Sequence, residues 1–322
     1  MLLKTKILKS NNKNIILASE LLKKNNIIGI PTETVYGLAG RADNDSAIKK
    51  IFAIKKRPFF NPLILHYKNA DLALNDIFFD ERAEELAKKF WPGALTIVSK
   101  IKKNYISKLA TSNLSTVAIR VPANRTIKNL LMHLEFPLAA PSANRYGKIS
   151  PTSAKDLYDE LNNKIPLIID GGRSSVGVES TIIDLSSKKI TILRHGAICC
   201  SDIEKVLNCR IQRKNYPNTF KAPGLAIKHY QPDKPVRINA TKQRVDEGWL
   251  AFGKIEKNFK KPSLSLSNKK CLKEAAKNLY KMLRLLDSKK IKGIAVQKIP
   301  KKGLGLAIND RLNRAAKKTD EK

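Results

Sequence analysis

Short aliphatic runs and helix-period segments alternate along this chain, and that alternation constrains the fold more than any other feature. The runs VAIRV (117–121), PLII (166–169), TIIDL (181–185) and TIL (191–193) have the length and β-branched content of strands. IILASELLKKNNIIGI (15–30) reads as a helix, a short turn at Lys23–Asn26 and a buried strand ending at Pro31. Residues 43–56 form a second helical pattern. Ala47, Ile48, Ile51 and Phe52 recur at helical spacing, and Asp43 or Asp45 can cap it. Pro58 disfavours helical backbone at Arg57, so this helix is expected to end near Lys56. Leu63–Leu65 follows as a short strand. Ser201 and Glu204 have the spacing of a capping box that opens another helix. Interleaved strands and helices imply an α/β protein.

The periodicity fades between about 208 and 235, where CRIQRKNYPNTFKAPGLAIKHYQPDKP carries four prolines. Beyond it come a strand, WLAFG (249–253), and an amphipathic helix through Leu272, Ala275, Ala276, Leu279, Leu283 and Leu286. The strand IKGIAV (291–296) and a last helix after GLGLA complete a second, smaller α/β unit. The expected organisation is a main domain over 1–207, a linker over 208–235 and a small domain over 236–322. A chain of 322 residues is long enough for both.

Lys and Arg number 62 against 28 Asp and Glu, a net charge of +34. Such a charge suits a polyanion-binding surface. The excess is mostly Lys, however, spread along the chain among many Asn and Ile residues, which equally describes a solvated basic background. No run approaches the roughly 18 apolar residues of a membrane helix. The start, MLLKTKILKSNNKN, has no apolar core of signal-peptide length, so a cytoplasmic location is expected. Cys199, Cys200, Cys209 and Cys271 lack CxxC spacing and a nearby His at ligand spacing, which argues for free thiols and against a zinc site.

Several stretches could carry chemistry. In VAIRV, Val117, Ile119 and Val121 face one way while Ala118 and Arg120 face the other. Arg120 needs a partner there, either an internal carboxylate or the carboxylate of a ligand. PLAAPSANRYGKISPT (137–152) sets small residues beside Ser142, Asn144 and Ser150, which suits either ligand approach or a tight turn. DGGRSSVGVESTIIDL (170–185) has Gly171, Gly172 and Gly177 placed for an anion-binding loop or a plain turn, without the spacing of a P-loop. Arg194 ends the strand TIL, where α/β sheets often place binding residues. IPTETVYGLAG (30–40) offers the hydroxyls of Thr32, Thr34 and Tyr36. IFAIKKRPFFNPLILH (51–66) brackets Lys55, Lys56 and Arg57 between apolar runs, with Pro58 and Pro62 beyond. No covalent nucleophile is evident. Basic and hydroxyl groups of this kind suit phosphate-transfer chemistry run on positioning and charge.

In order, PTETVYGL, K-x-R-P with NPLILH, FWPGALTIV, VAIRVP, APSAN, DGG…GVESTIID and ILR resemble the threonylcarbamoyl-AMP synthase (YrdC-like) family across residues 15–210. APGLAIKHYQP (222–232), LRLLD and GLGLAINDRLNRAA resemble the linker and small C-terminal domain of its long form. The resemblance implies an open twisted mixed sheet with a concave basic cavity and a small Rossmann-like second domain. It implies a nucleotidyltransferase that makes threonylcarbamoyl-AMP and pyrophosphate from L-threonine, bicarbonate and ATP. Other proteins would then transfer the threonylcarbamoyl group to an adenosine beside a tRNA anticodon, so tRNA would be met indirectly.

By the same resemblance, Thr34, His66, Arg120, Ala140 and Ser180 would contact threonine. Arg57, Asn61, Thr116, Ser142, Ser150 and Arg194 would contact ATP, and Tyr230 would close over the nucleotide. Lys55, Arg57, Ser142 and Asn144 match the K-x-R and S-x-N signature, with Lys55 and Arg57 expected at the phosphates. Lys56 is assigned to the basic background. Magnesium is expected with ATP, held by phosphates and water rather than by a carboxylate cage. His195 departs from the family, which usually has Pro there, and the second domain is short. The rival readings are an RNA-binding module using the basic concave surface, and a carbamoyl-handling domain like that of hydrogenase maturation factors. The second lacks its zinc-finger-like companions here.

Overall fold

A computed structural model describes residues 4–213, 229–257 and 259–317. The expected linker segment therefore lies mostly outside the described residues. The chain opens with β1 (Lys6–Lys9), α1 (Asn12–Lys23), β2 (Ile28–Ile30), β3 (Gly37–Arg41) and α2 (Asp45–Lys55). Next come β4 (Ile64–His66), α3 (Ala70–Asn75), α4 (Glu81–Phe90), β5 (Leu95–Lys100) and β6 (Thr116–Arg120). Then follow α5 (Arg125–Met132), β7 (Leu138–Ala139), α6 (Ala154–Leu161), β8 (Leu167–Asp170) and β9 (Thr181–Asp184). The first unit closes with β10 (Thr191–Arg194), α7 (Cys200–Leu207) and β11 (Gln212–Arg213). The second unit holds β12 (Val236–Ala240), β13 (Glu247–Ala251), β14 (Ser263–Ser265), α8 (Leu272–Asp287), β15 (Gly293–Gln297) and α9 (Leu304–Ala315).

The first unit is one 11-stranded mixed sheet, ordered β1-β8-β2-β3-β7-β4-β6-β5-β9-β10-β11. Helices cover both faces. Ile15, Ala18 and Leu22 of α1 pack with Ile127, Leu130 and Leu131 of α5 on one side. Ile48, Ile51 and Phe52 of α2, Leu86 of α4, Leu157 of α6 and Ile203 of α7 build the core on the other. The second unit is a 4-stranded sheet ordered β12-β15-β13-β14, with every neighbouring pair parallel. Its core, formed by α8 and α9, also takes in Val35, Ile149 and Val178 of the first unit. The two sheets thus share one apolar interface.

Local chemistry corrects several expected element ends. The cap of α2 is Asn44, whose side chain accepts from the Ala47 amide; Asp43 is instead paired with Arg41 at 2.7 Å. An N-cap needs extended backbone and an oxygen within reach of the third helical N–H, and only residue 44 meets both conditions. The C-cap Lys56 is left-handed (φ 50°), which stops the helix before Pro58 as expected. No capping box opens α7. The helix starts at Cys200, Cys199 gives no side-chain cap, and Glu204 accepts from the Ile211 amide at 3.0 Å instead. That bond ties the residue before β11 to α7. The stretches around 37–41 and 138–139 are paired strands, β3 against β7, so small residues there serve close strand packing. The cysteines are free thiols, as expected.

Candidate active site

A cavity opens where the parallel strands β4 and β6 end, the side of an α/β sheet at which ligands are usually held. The register sets His66 opposite Arg120 at those ends. The PTET loop, the turn after β7, the start of β9 and the end of β10 complete the walls, and His229 and Tyr230 add a further wall. The enclosed cavity measures about 40 Å³ and is continuous with open solvent.

One end is organised around Arg120. Its Nε donates to Gly93 O at 3.0 Å, Nη1 to Thr34 Oγ1 at 3.1 Å and Nη2 to Glu33 Oε1 at 2.5 Å. Thr34 Oγ1 also lies 2.8 Å from Thr32 Oγ1. Glu33 is a site residue that the sequence does not single out. Burial acts to raise its pKa, and the Arg120 guanidinium outweighs this and holds the carboxyl below its ordinary value. The internal partner of Arg120 is therefore real, and its Thr34-facing edge still borders the cavity. Ala140 and Ser180 line the same region, with Ser180 Oγ 2.7 Å from Thr96 Oγ1.

The other end carries two buried guanidinium groups. Arg57 Nε donates to Asn61 O at 3.0 Å, and its Nη2 to Asn61 Oδ1 at 2.5 Å and Pro62 O at 2.8 Å. Asn61 is thus the clamp that aims Arg57. Arg194 Nε donates to Ser180 O at 3.1 Å and its Nη2 to Ser180 Oγ at 3.0 Å. Burial, with some repulsion from Arg194, lowers the Arg57 pKa to about 10, so it stays charged at neutral pH. The same cavity is lined by Glu179, another residue that sequence reasoning misses. Burial would raise it; Arg311, Arg194 and a bond from Ser150 Oγ at 2.7 Å outweigh burial and hold it at about 2.

The structure brings together Thr34, Arg57, His66, Arg120, Ala140, Ser142, Ser180, Arg194 and Tyr230 around one cavity. Lys55, Asn61, Thr116, Asn144 and Ser150 do not line it. Lys55 belongs to the buried stripe of α2, and its ammonium donates to the backbone carbonyls of Ser142 and Asn144. Contrary to expectation, it therefore grips the 142–144 turn rather than facing the cavity. Asn144 braces the same turn through Arg145 O and Lys148 O, both at 2.8 Å. Thr116 lies at the opposite end of β6 from Arg120. Ser150 acts on the cavity through Glu179.

The glycine-rich loop is a buttress, not an open anion nest. Val176 and Gly177 amides donate to Glu33 O and Thr34 O. Gly177 has φ 82°, and a Cβ there would lie 2.5 Å from Lys277 Cα of the second unit. Tyr36 turns its hydroxyl away, onto Gly172 O at 2.7 Å. Among the described residues no group of three or more His, Cys, Asp or Glu side chains could hold a metal ion, so no protein ligand is assigned to magnesium.

Burial first, then Arg120, lowers the His66 pKa to about 3, and its Nδ1 has no protein partner. The ring is neutral at physiological pH. Between about 6.5 and 3 the unfolded chain binds a proton that the folded chain excludes. Stability that is complete above pH 6.5 is therefore lost as pH falls, by roughly 2 kcal/mol at pH 5 from this group. His229, also lowered by burial, acts in the same direction. Melting temperature is expected to fall between pH 7 and 4, with a shallower slope in His66→Gln. An unchanged slope in that variant would refute proton exclusion at His66.

The fold and cavity define an α/β protein with a buried, arginine-lined cavity beside a cluster of hydroxyls. Residues 20–196 match the Sua5/YciO/YrdC family, described as telomere recombination, and residues 198–317 match the threonylcarbamoyl-AMP synthase C-terminal domain. The threonylcarbamoyl-AMP synthase of Pyrococcus abyssi is 37% identical, covering 94% of each chain. That of Bacillus subtilis is also 37% identical, over 96% of this chain and 94% of its own. A crystal structure of Pyrococcus abyssi Sua5 complexed with L-threonine superposes with a TM-score of 0.89 at 34% identity, covering 97% of each. The chain belongs to the threonylcarbamoyl-AMP synthase family, in its two-domain form.

Proposed function

We propose that this protein is a threonylcarbamoyl-AMP synthase, a nucleotidyltransferase acting in tRNA threonylcarbamoyladenosine formation. One observation carries the reading. A single cavity is lined by Arg120 beside the Thr34 hydroxyl and by two further buried arginines, Arg57 and Arg194. The threonine complex of the Pyrococcus abyssi relative supports L-threonine as a substrate.

L-Threonine is placed against Thr34, His66, Arg120, Ala140 and Ser180. The nucleotide is placed against Arg57, Ser142, Arg194 and Tyr230, with Asn61, Ser150 and the Lys55-held turn supporting them. The threonine amine and bicarbonate condense to a carbamate with loss of water. A carbamate oxygen then forms a bond to the α-phosphorus, the bond to the β-phosphate oxygen breaks, and pyrophosphate leaves. Arg57 and Arg194 offset the charge that develops on the phosphates. Magnesium enters with ATP as part of the substrate, its coordination supplied by phosphates and water. The product passes to transferase proteins that handle tRNA, and the reaction is assigned to the cytoplasm. No helix of the described residues is long and apolar enough to cross a membrane.

Incubation with ATP, threonine and bicarbonate is expected to release pyrophosphate and give threonylcarbamoyl-AMP by mass spectrometry. Pyrophosphate release that ignores threonine would overturn the reading. Tight, steeply salt-dependent tRNA binding with no such product would favour an RNA-binding module instead.

A further inference from the structure

The second unit reaches the cavity through one carboxylate. Glu179 Oε1 accepts from Ser150 Oγ at 2.7 Å and Tyr280 OH at 3.0 Å. Its Oε2 accepts from Tyr280 OH at 2.9 Å and Arg311 Nε at 3.0 Å. Tyr280 lies on α8 and Arg311 on α9, both wholly buried. Arg311 also donates to His195 O, just after Arg194, and its guanidinium carbon lies 5.5 Å from the centre of the Tyr230 ring. Tyr230 in turn packs on Tyr280 at 5.7 Å between ring centres. Glu179 and Tyr230 are themselves cavity walls.

A fixed negative charge in the cavity wall, within the field of Arg194, works against a triphosphate. Within the first unit, Glu179 is met by the Ser150 hydroxyl and by the field of Arg194. Among the described residues, an ion pair to Glu179 comes from across the interface, from Arg311. Building on the function proposed above, we propose that Arg311 and Tyr280 are positioning residues of the nucleotide site, supplied by the second domain. They neutralise Glu179 and fix it against Ser150, so that its charge does not oppose ATP beside Arg194 and the Tyr230 ring. His195, where the family usually has Pro, is part of this device through its carbonyl.

This assignment makes the catalytic unit incomplete without its partner domain, and it predicts a sign that loss of packing cannot mimic. Removing the arginine leaves a bare buried carboxylate facing the phosphates. Removing the carboxylate as well abolishes that repulsion. The experiment uses the full-length protein and a non-hydrolysable ATP analogue, with binding measured by calorimetry. Arg311→Leu is expected to weaken binding by at least about tenfold, since like charges brought together carry such a penalty. Glu179→Gln/Arg311→Leu is expected to regain most of the loss. Threonine binding is expected to change less than analogue binding, because the acceptors held by Arg120 are separate from the groups that bond Glu179.

Arg311→Leu binding the analogue within twofold of wild type would overturn the proposal. So would a double variant no tighter than the single one, which would indicate a purely structural role. If Arg311→Leu does not fold, the pair Tyr280→Phe and Glu179→Gln/Tyr280→Phe gives the same comparison with a smaller change. Wild-type protein that binds the analogue but makes no threonylcarbamoyl-AMP would sink the proposed reaction while leaving this test readable.

Discussion

Arg57→Ala is expected to abolish threonine-dependent pyrophosphate release, lowering kcat/KM by about three orders of magnitude. Loss of a single preorganised donor at a developing oxyanion typically costs about 10²–10³. Arg57 exceeds such a donor because it carries a full charge in a buried site. Its Nε and Nη2 are engaged by Asn61 and by Pro62 O, so the remaining edge is held without freedom to reorient at the moment of reaction. Arg57→Lys tests whether charge or geometry matters. An ammonium cannot satisfy Asn61 O, Asn61 Oδ1 and Pro62 O together while also facing a phosphate, so it is expected to recover little. Steady-state kinetics with ATP varied at saturating threonine checks both. Wild-type-like turnover in Arg57→Ala would remove Arg57 from the reaction. Recovery to within a few-fold by Arg57→Lys would leave charge, not geometry, as its contribution.

The sequence discloses elements whose signal is local and hides whatever depends on long-range pairing. Helix α2 is readable because Ala47, Ile48, Ile51 and Phe52 keep one face over its full length. Strand β6 is readable because its apolar alternation breaks at Arg120 alone. Strands β3 and β7 are not, since Gly37–Arg41 and Leu138–Ala139 are short segments that become strands only by pairing, β3 with β2 and β7, and β7 with β3 and β4. The order of the large sheet is equally hidden, because β1 pairs with β8 across the chain and no local pattern encodes that.

In the site, residues carrying an obvious charge in an apolar run are legible: Arg57, Arg120 and Arg194 all reach the cavity. Their acidic partners are not. Glu33 and Glu179 stand among hydroxyl residues at strand ends, where an acid reads as ordinary surface chemistry. The available signal is the arithmetic of burial: each buried arginine in a strand requires a nearby acceptor. Tyr280 and Arg311 have no such signal, since their role exists only once the two units are packed together. Lys55 misleads for a related reason. A lysine in a phosphate-binding motif looks like a phosphate ligand until the helix register buries it on two carbonyls.

Arg120→Leu is expected to lower stability and threonine affinity together, and a second substitution separates the two effects. Arg120 is 3% exposed and Glu33 8% exposed, so removing the guanidinium strands a buried carboxylate. Breaking such a pair from one side costs about 3–5 kcal/mol, seen as a clear drop in melting temperature. Glu33→Gln/Arg120→Leu removes both charges and is expected to regain most of that stability, because two neutral groups of similar shape leave no ion unpaired. Threonine binding is expected to stay lost in the double variant, since neither replacement side chain offers a cation to a ligand carboxylate. Chemical denaturation and isothermal titration with threonine read the two quantities independently. Recovery of both would make Arg120 a structural ion pair only. Recovery of neither would mean that the desolvated carboxylate is not what destabilises the single variant. Recovery of stability alone establishes that Glu33 holds the guanidinium in place while its Thr34-facing edge receives the amino acid.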